Sequence, residues 1–143
     1  KSSSAEGSKI RTELIRVGIN EFLQHPIFGI GYNNARFASE KYLGIELYTH
    51  NNYVEILANS GIIGFGIFYS MYVSIFYKLK KKNANESVIL KITIILMFLV
   101  CVEGLFGVTY FSKYFYCLMI LVISVANSDE EELEDEYNEI SVQ

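Results

Sequence analysis

The chain has 143 residues, of which 51% are hydrophobic and 15% aromatic, with one proline, no tryptophan and a formal net charge of −4. That is too apolar for an ordinary soluble domain of this length and indicates a membrane protein. The charge is uneven: eight acids and no base lie within residues 129–139, the remainder is net basic, and its bases form no aromatic-interleaved patch, which excludes a nucleic-acid partner. Cys101 and Cys117 both fall in apolar segments and read as small buried residues, not as a disulfide or metal pair.

The chain opens Lys1-Ser2-Ser3-Ser4, with neither an initiator methionine nor a signal peptide, and its first apolar run of membrane length starts near Gly61. The expectation is a C-terminal piece of a longer polytopic protein, or a processed one. Residues 1–7 are polar and expected to be disordered. A helix is predicted over residues 9–24, ending before Pro26 because the residue preceding a proline leaves the helical region. On a helical wheel Ile10, Leu14, Ile15, Gly18, Ile19 and Phe22 share one broad face, and Glu13, Arg16, Asn20 and Gln24 lie opposite. Arg11 falls within the apolar face and Arg16 on the polar one. Two readings of Arg11 follow: a packed stem whose head reaches water, or a buried guanidinium that needs an anionic partner.

His25-Pro26-Ile27-Phe28-Gly29-Ile30-Gly31 reads as a turn, with glycines available for positive φ or close backbone approach. A short helix is predicted over residues 34–43 and a connector over 44–48. Thr49 then reads as an N-cap, which puts His50 in the first turn of the next helix. A helix N-terminus favours an anion and disfavours imidazolium, so a histidine there stays neutral and able to accept a proton, beside an anion site. Gly61, Gly64 and Gly66 give the following segment a small-residue side suited to close helix packing.

Three membrane spans are predicted, over about 61–79, 88–102 and 114–126; the last two are short for a bilayer and are expected to extend to about 85–103 and 110–127. The basic cluster Lys78-Leu79-Lys80-Lys81-Lys82 marks the cytoplasmic side. Residues 1–60 are then an extracytoplasmic helical loop, 61–126 the membrane region, and 128–143 an acidic, solvated cytoplasmic tail. The fold class is an all-α polytopic membrane protein fragment. Glu103, at the end of the second span, is a functional candidate by position, with a structural role near Lys113 as the other reading.

The stretch from Arg11 to Gly64 resembles the large periplasmic loop of the O-antigen ligase and polysaccharide polymerase family of bacterial membrane glycosyltransferases. Arg11, in Arg11-Thr12-Glu13-Leu14-Ile15, is similar to the arginine that opens that loop's first helix. His25-Pro26-Ile27-Phe28-Gly29-Ile30-Gly31 looks like its His-Pro-apolar-apolar-Gly-x-Gly turn. His50-Asn51, nine residues and then Gly61-Ile62-Ile63-Gly64 fits the signature that enters the next membrane helix. Ile15 stands where the ligase motif has leucine four places after the arginine, and the membrane helices that precede the loop in such enzymes are not in this chain.

The resemblance implies transfer or polymerisation of a polyprenyl-diphosphate-linked glycan onto a glycan or lipid acceptor, in O-antigen, capsule or exopolysaccharide synthesis. The place would be the outer face of the bacterial cytoplasmic (inner) membrane, within a multi-pass protein embedded in the lipid bilayer. The partners it implies include the remaining N-terminal membrane helices of the full-length protein, without which the fragment is expected to be inactive. In that frame His50 accepts the proton of the attacking hydroxyl and Arg11 neutralises the diphosphate leaving group. Asn51, Arg16, Arg36 and Lys41 are weaker candidates for sugar or phosphate contact. No cofactor is expected. Two separated histidines and no clustered carboxylates make a poor metal-ligand set, and the family is likewise regarded as metal-independent. His25 reads as fixing the loop by hydrogen bonding. Two non-enzymatic readings compete: part of a lipid-linked oligosaccharide transporter or anion-binding membrane protein, for which a neutral base beside Arg11 has no use, and a membrane-anchored interaction module that works through the acidic tail.

Overall fold

A computed structural model describes residues 2–81 and 88–127. The acidic tail, the basic cluster's Lys82 and the 85–87 extension of the second span lie outside the described residues. Among those described there are five α-helices and no strand: α1 (Ser2–Gln24), α2 (Ala35–Leu43), α3 (Asn52–Lys81), α4 (Val88–Glu103) and α5 (Lys113–Asn127). The helix ends follow the sequence pattern, apart from the start of α3 and two further differences. Helix α1 starts at Ser2, so residues 2–7 are helical and not disordered; once a helix is nucleated, each added residue costs little. Residues 110–112 precede α5 instead of extending it.

The chain divides into two compact units: Lys1–Tyr69 with Val102–Tyr110, and Ser70–Cys101 with Phe111–Gln143. In the first, α1 packs on α2 and meets the start of α3 at Gly18. A Cβ on Gly18 would stand 2.6 Å from Val54 Cγ1 and 2.8 Å from Thr49 Cγ2, so only glycine allows the approach. That contact sets the buried ridge of α1 to Leu14, Val17, Gly18 and Glu21, rotated from the wheel expectation and leaving Ile19 exposed.

The second unit holds the end of α3 with α4 and α5. Leu90, Thr93, Met97 and Val100 on α4, and Phe115, Met119, Val122 and Ala126 on α5, are buried at three- and four-residue spacing. The rings of Tyr72 and Phe115 stack with centroids 6.4 Å apart, and Lys78 donates to Asn127 Oδ1. Apolar side chains also cover the outside, among them Val73, Phe76, Ile95, Phe98 and Ile120. Contrary to expectation, Cys117 is exposed and Cys101 only half-buried; both are free thiols. Among the described residues one helix, α3, is long and apolar enough to cross a membrane, with a mean hydropathy of 1.5 over its best window. Helix α5 is apolar but shorter; its 15 residues span roughly 22 Å against a hydrocarbon core of about 30 Å.

Candidate functional site

Helix α3 is broken at Gly61, which has φ 64° and ψ −168°. A break strands the carbonyls that precede it and the amides that follow it, and buried groups of this kind must find other partners. The 26–31 turn supplies all four. Ile30 and Gly31 donate their N–H groups to the Ala58 and Asn59 carbonyls, each at 2.9 Å. Ile62 and Ile63 donate to the Pro26 and Ile27 carbonyls, at 2.8 and 3.4 Å. The two backbones touch so closely that a Cβ on Gly29 (φ 68°) would stand 2.5 Å from Asn59 C and Ser60 N, and one on Gly61 would run into the Ile27 carbonyl. The His-Pro turn and the Gly61 signature are therefore two halves of one splice. His25 contributes through its backbone: its N–H donates to Glu21 O and its carbonyl accepts from Gly29 N, both at 2.9 Å, while the imidazole is exposed.

Asn51, not Thr49, is the N-cap of α3. Its Oδ1 accepts the Val54 N–H at 3.0 Å and its carbonyl accepts the first helical bond, from Glu55 N at 3.0 Å. Thr49 Oγ1 instead serves the turn before the helix, donating to the Asn51 carbonyl at 2.9 Å and accepting the Asn51 N–H at 3.4 Å. His50 consequently precedes the helix and adopts a left-handed conformation, φ 55°. Nor is the helix N-terminus an open anion site, since the Asn52 N–H donates to Gly104 O at 2.7 Å.

His50 is half-buried, its ring centroid 4.4 Å from that of Tyr48. Burial pushes its pKa below the ordinary 6.5, the positive charge of Arg11 lowers it further, and the negative charge of Glu55 opposes both. The direction is the one expected from sequence, with causes other than the helix terminus. Arg11 lies on the ridge of Leu14 and Gly18, two turns before the Gly18 contact, and its side chain is exposed. Of the two readings the solvent-reaching head holds. Among the described residues it forms no ion pair.

The weaker candidates are spread over the surface. Arg16 is exposed and lies 3.5 Å from Glu13, one turn away. Arg36 pairs with Glu46 at 3.2 Å and lies over the Phe37 ring, with its Nε buried and unbonded. Lys41 lies over the Tyr42 ring. Asn51, besides capping α3, donates from Nδ2 to Leu105 O at 3.2 Å. Glu103 is exposed, and its carbonyl accepts from Phe106 and Gly107 in the loop. No group of three or more His, Cys, Asp or Glu side chains comes together among the described residues.

Three buried residues beneath His50 carry a network that the motif reading missed. Asn52, Glu55 and Asn59 fall on one face of α3. Asn52 Oδ1 accepts the Thr109 and Tyr110 N–H groups at 3.0 and 3.2 Å, and its Nδ2 donates to Tyr69 Oη at 3.3 Å. Asn59 Oδ1 accepts the Ala35 N–H at 2.8 Å, at the start of α2, where Asn34 makes no side-chain cap. Asn59 Nδ2 donates to Glu55 Oε1 at 3.1 Å and to Tyr110 Oη at 3.0 Å. The polar residues at i, i+3 and i+7 in an apolar helix were the available signal.

No curated protein and no solved structure matches this chain. Residues 2–69 match the model of a family described as O-antigen ligase. That stretch holds Arg11, the His-Pro turn, His50 and the broken start of α3, and it ends at the limit of the first compact unit's long segment. Over residues 2–69, a little under half of the chain, the resemblance read from the sequence is therefore met by the O-antigen ligase family model.

Proposed function

We propose that this chain is the acceptor-activating part of a metal-independent membrane glycosyltransferase. The enzyme ligates or polymerises glycan carried on polyprenyl diphosphate, at the outer face of the bacterial cytoplasmic membrane. The observation that carries the reading is that the half-buried His50, in its left-handed turn, lies near enough to Arg11, remote in sequence, for the guanidinium charge to lower its pKa. A neutral imidazole takes the proton of an acceptor hydroxyl as its oxygen bonds to the anomeric carbon. The bond from that carbon to the phosphate oxygen breaks, and the electron pair leaves with the diphosphate. Arg11, exposed and without a carboxylate partner among the described residues, is free to meet that charge as it develops. The membrane assignment rests on the apolar α3, with α4 and α5 as further spans, the lysines at the end of α3 inside and residues 1–60 outside.

The test is a gel assay of polymer or ligated glycan from membranes of the source cell, at matched protein levels. His50→Asn is the variant of choice, because asparagine tolerates a left-handed backbone but cannot serve as the base. Loss of product with donor lipid still bound supports the reading. Near-normal product would leave an anion-binding or transport protein as the better one.

A further inference from the structure

Glu55 is fully buried, and both its oxygens are committed. Oε2 accepts the N–H of Thr49, the residue just before His50, at 2.8 Å; Oε1 accepts from Asn59 Nδ2 at 3.1 Å. Thr49 is itself fully buried against Gly18 of α1. His50 occupies a left-handed conformation that a residue of its kind adopts only when the surroundings hold it there. A buried charge is costly unless it is fully hydrogen-bonded, and two N–H donors converging on one side chain call for two acceptor oxygens, which a carboxylate has and an amide lacks.

We infer that Glu55 is a positioning residue for His50: its carboxylate fixes the turn that presents the imidazole beside Arg11, and ties that turn through Asn59 to α2 and to Tyr110. This rests on the reading of His50 as the base. It adds a function for a buried acid that the motif residues leave unexplained. The charged groups acting on His50 are Arg11 from α1 and Glu55 from α3. On its own connector the Tyr48 ring lies against it. The 102–110 segment reaches the network through the Tyr110 hydroxyl, bonded to Asn59, and its one acid, Glu103, is exposed.

The experiment uses the full chain in detergent micelles with isotope-labelled histidine. The protein has two histidines, so His25→Ala assigns both resonances and His25 serves as the internal control. In Glu55→Gln one of the two N–H donors loses its acceptor oxygen, the turn loosens, and the His50 titration midpoint rises toward 6.5 as the ring leaves its burial and Arg11. Loss of the charge with the turn intact would instead lower the midpoint, because the negative charge of Glu55 raises it, so the sign of the shift separates positioning from a charge effect at a distance. Glu55→Asp, which keeps both oxygens on a shorter arm, holds the midpoint near that of the unmodified protein. In source-cell membranes Glu55→Gln, in a protein that still melts cooperatively above the assay temperature, lowers transfer roughly ten- to hundred-fold through misplacement of the base. A His50 midpoint in Glu55→Gln that falls or stays put overturns the inference about Glu55 alone. A midpoint that rises in a protein whose His50→Asn variant still makes product overturns the role of His50 as base, and with it that of Glu55.

Discussion

The Ile30 amide donates to the Ala58 carbonyl at 2.9 Å, the acceptor that Ile62 would use if α3 were unbroken. Ile62 in turn donates to Pro26. The turn and the helix have exchanged main-chain partners, and the glycines are what bring the two backbones within reach. Gly29→Ala and Gly61→Ala should each be severely destabilising. The left-handed conformation alone costs an L-residue about 1–2 kcal/mol, and the added methyl meets backbone that cannot swing away. Gly66→Ala, with nothing within 4 Å of the new methyl, should behave as the unmodified protein. Thermal unfolding in detergent checks all three; an intact Gly61→Ala protein would contradict the splice.

Arg11 should matter far more than Arg16. In membranes, Arg11→Ala is expected to abolish product, and Arg11→Lys to restore little, since a point charge does not replace the planar fork on a diphosphate. Arg16 holds only an exposed one-turn pair with Glu13, worth about 0.2–0.5 kcal/mol at most. Equal losses from Arg11→Ala and Arg16→Ala would remove Arg11 from the site.

His50 and Asn51 should separate cleanly. His50→Ala is expected to lower turnover roughly 10²–10⁴-fold with donor binding retained. Asn51→Ala removes the cap of α3 and the bond to Leu105, costing about 1 kcal/mol of stability with much of the turnover kept. Single-turnover rates beside melting temperatures show which quantity each variant moves.

The depressed pKa of His50 has a direction that can be measured. A base works while neutral, so activity should persist as pH falls past 6.5 and fail only below the folded value, which lies lower. The unfolded chain binds that proton first, so stability falls as pH drops from 6.5 through the folded value. Arg11→Ala removes a charge that lowers the pKa, and the His50 midpoint read by histidine titration should move upward.

Asn59→Ala should be among the most damaging substitutions. It leaves the Ala35 N–H, Glu55 and Tyr110 short of a partner at once, at about 1–3 kcal/mol for each buried group left unsatisfied. A drop in melting temperature comparable with that of Gly61→Ala is expected, against little change for the exposed Asn20→Ala.

The helix pattern was legible because spacing and proline punctuation act locally: Pro26 ends α1 and Gly44, left-handed at φ 69°, ends α2. A link between Arg11 and His50 could be suggested only by resemblance, since no local rule brings α1 to the start of α3. What escaped depends on long-range geometry. The cap passed from Thr49 to Asn51 because the helix begins at Asn52 and the Thr49 hydroxyl is engaged with the main chain of Asn51. Asn52, Glu55 and Asn59 looked like incidental polar positions until the 102–110 segment and α2 arrived to use them. The His-Pro turn looked like a bend and is a set of donors and acceptors for a helix far along the chain.

That exchange of main-chain bonds closes the intervening stretch into a loop, much as a crosslink would. Its ends are pinned at residues 26–31 and 58–63, so the length of what lies between is decoupled from the register of the break. Lengthening a flexible loop adds only about 0.6 kcal/mol per doubling. Gly44 and Ile45 are exposed, and Gly44 has open space around it. Extra residues inserted there, even a small folded module, should leave Gly29 and Gly61 in contact, so that new elements can be grafted onto this segment while the spliced break in α3 stays where it is.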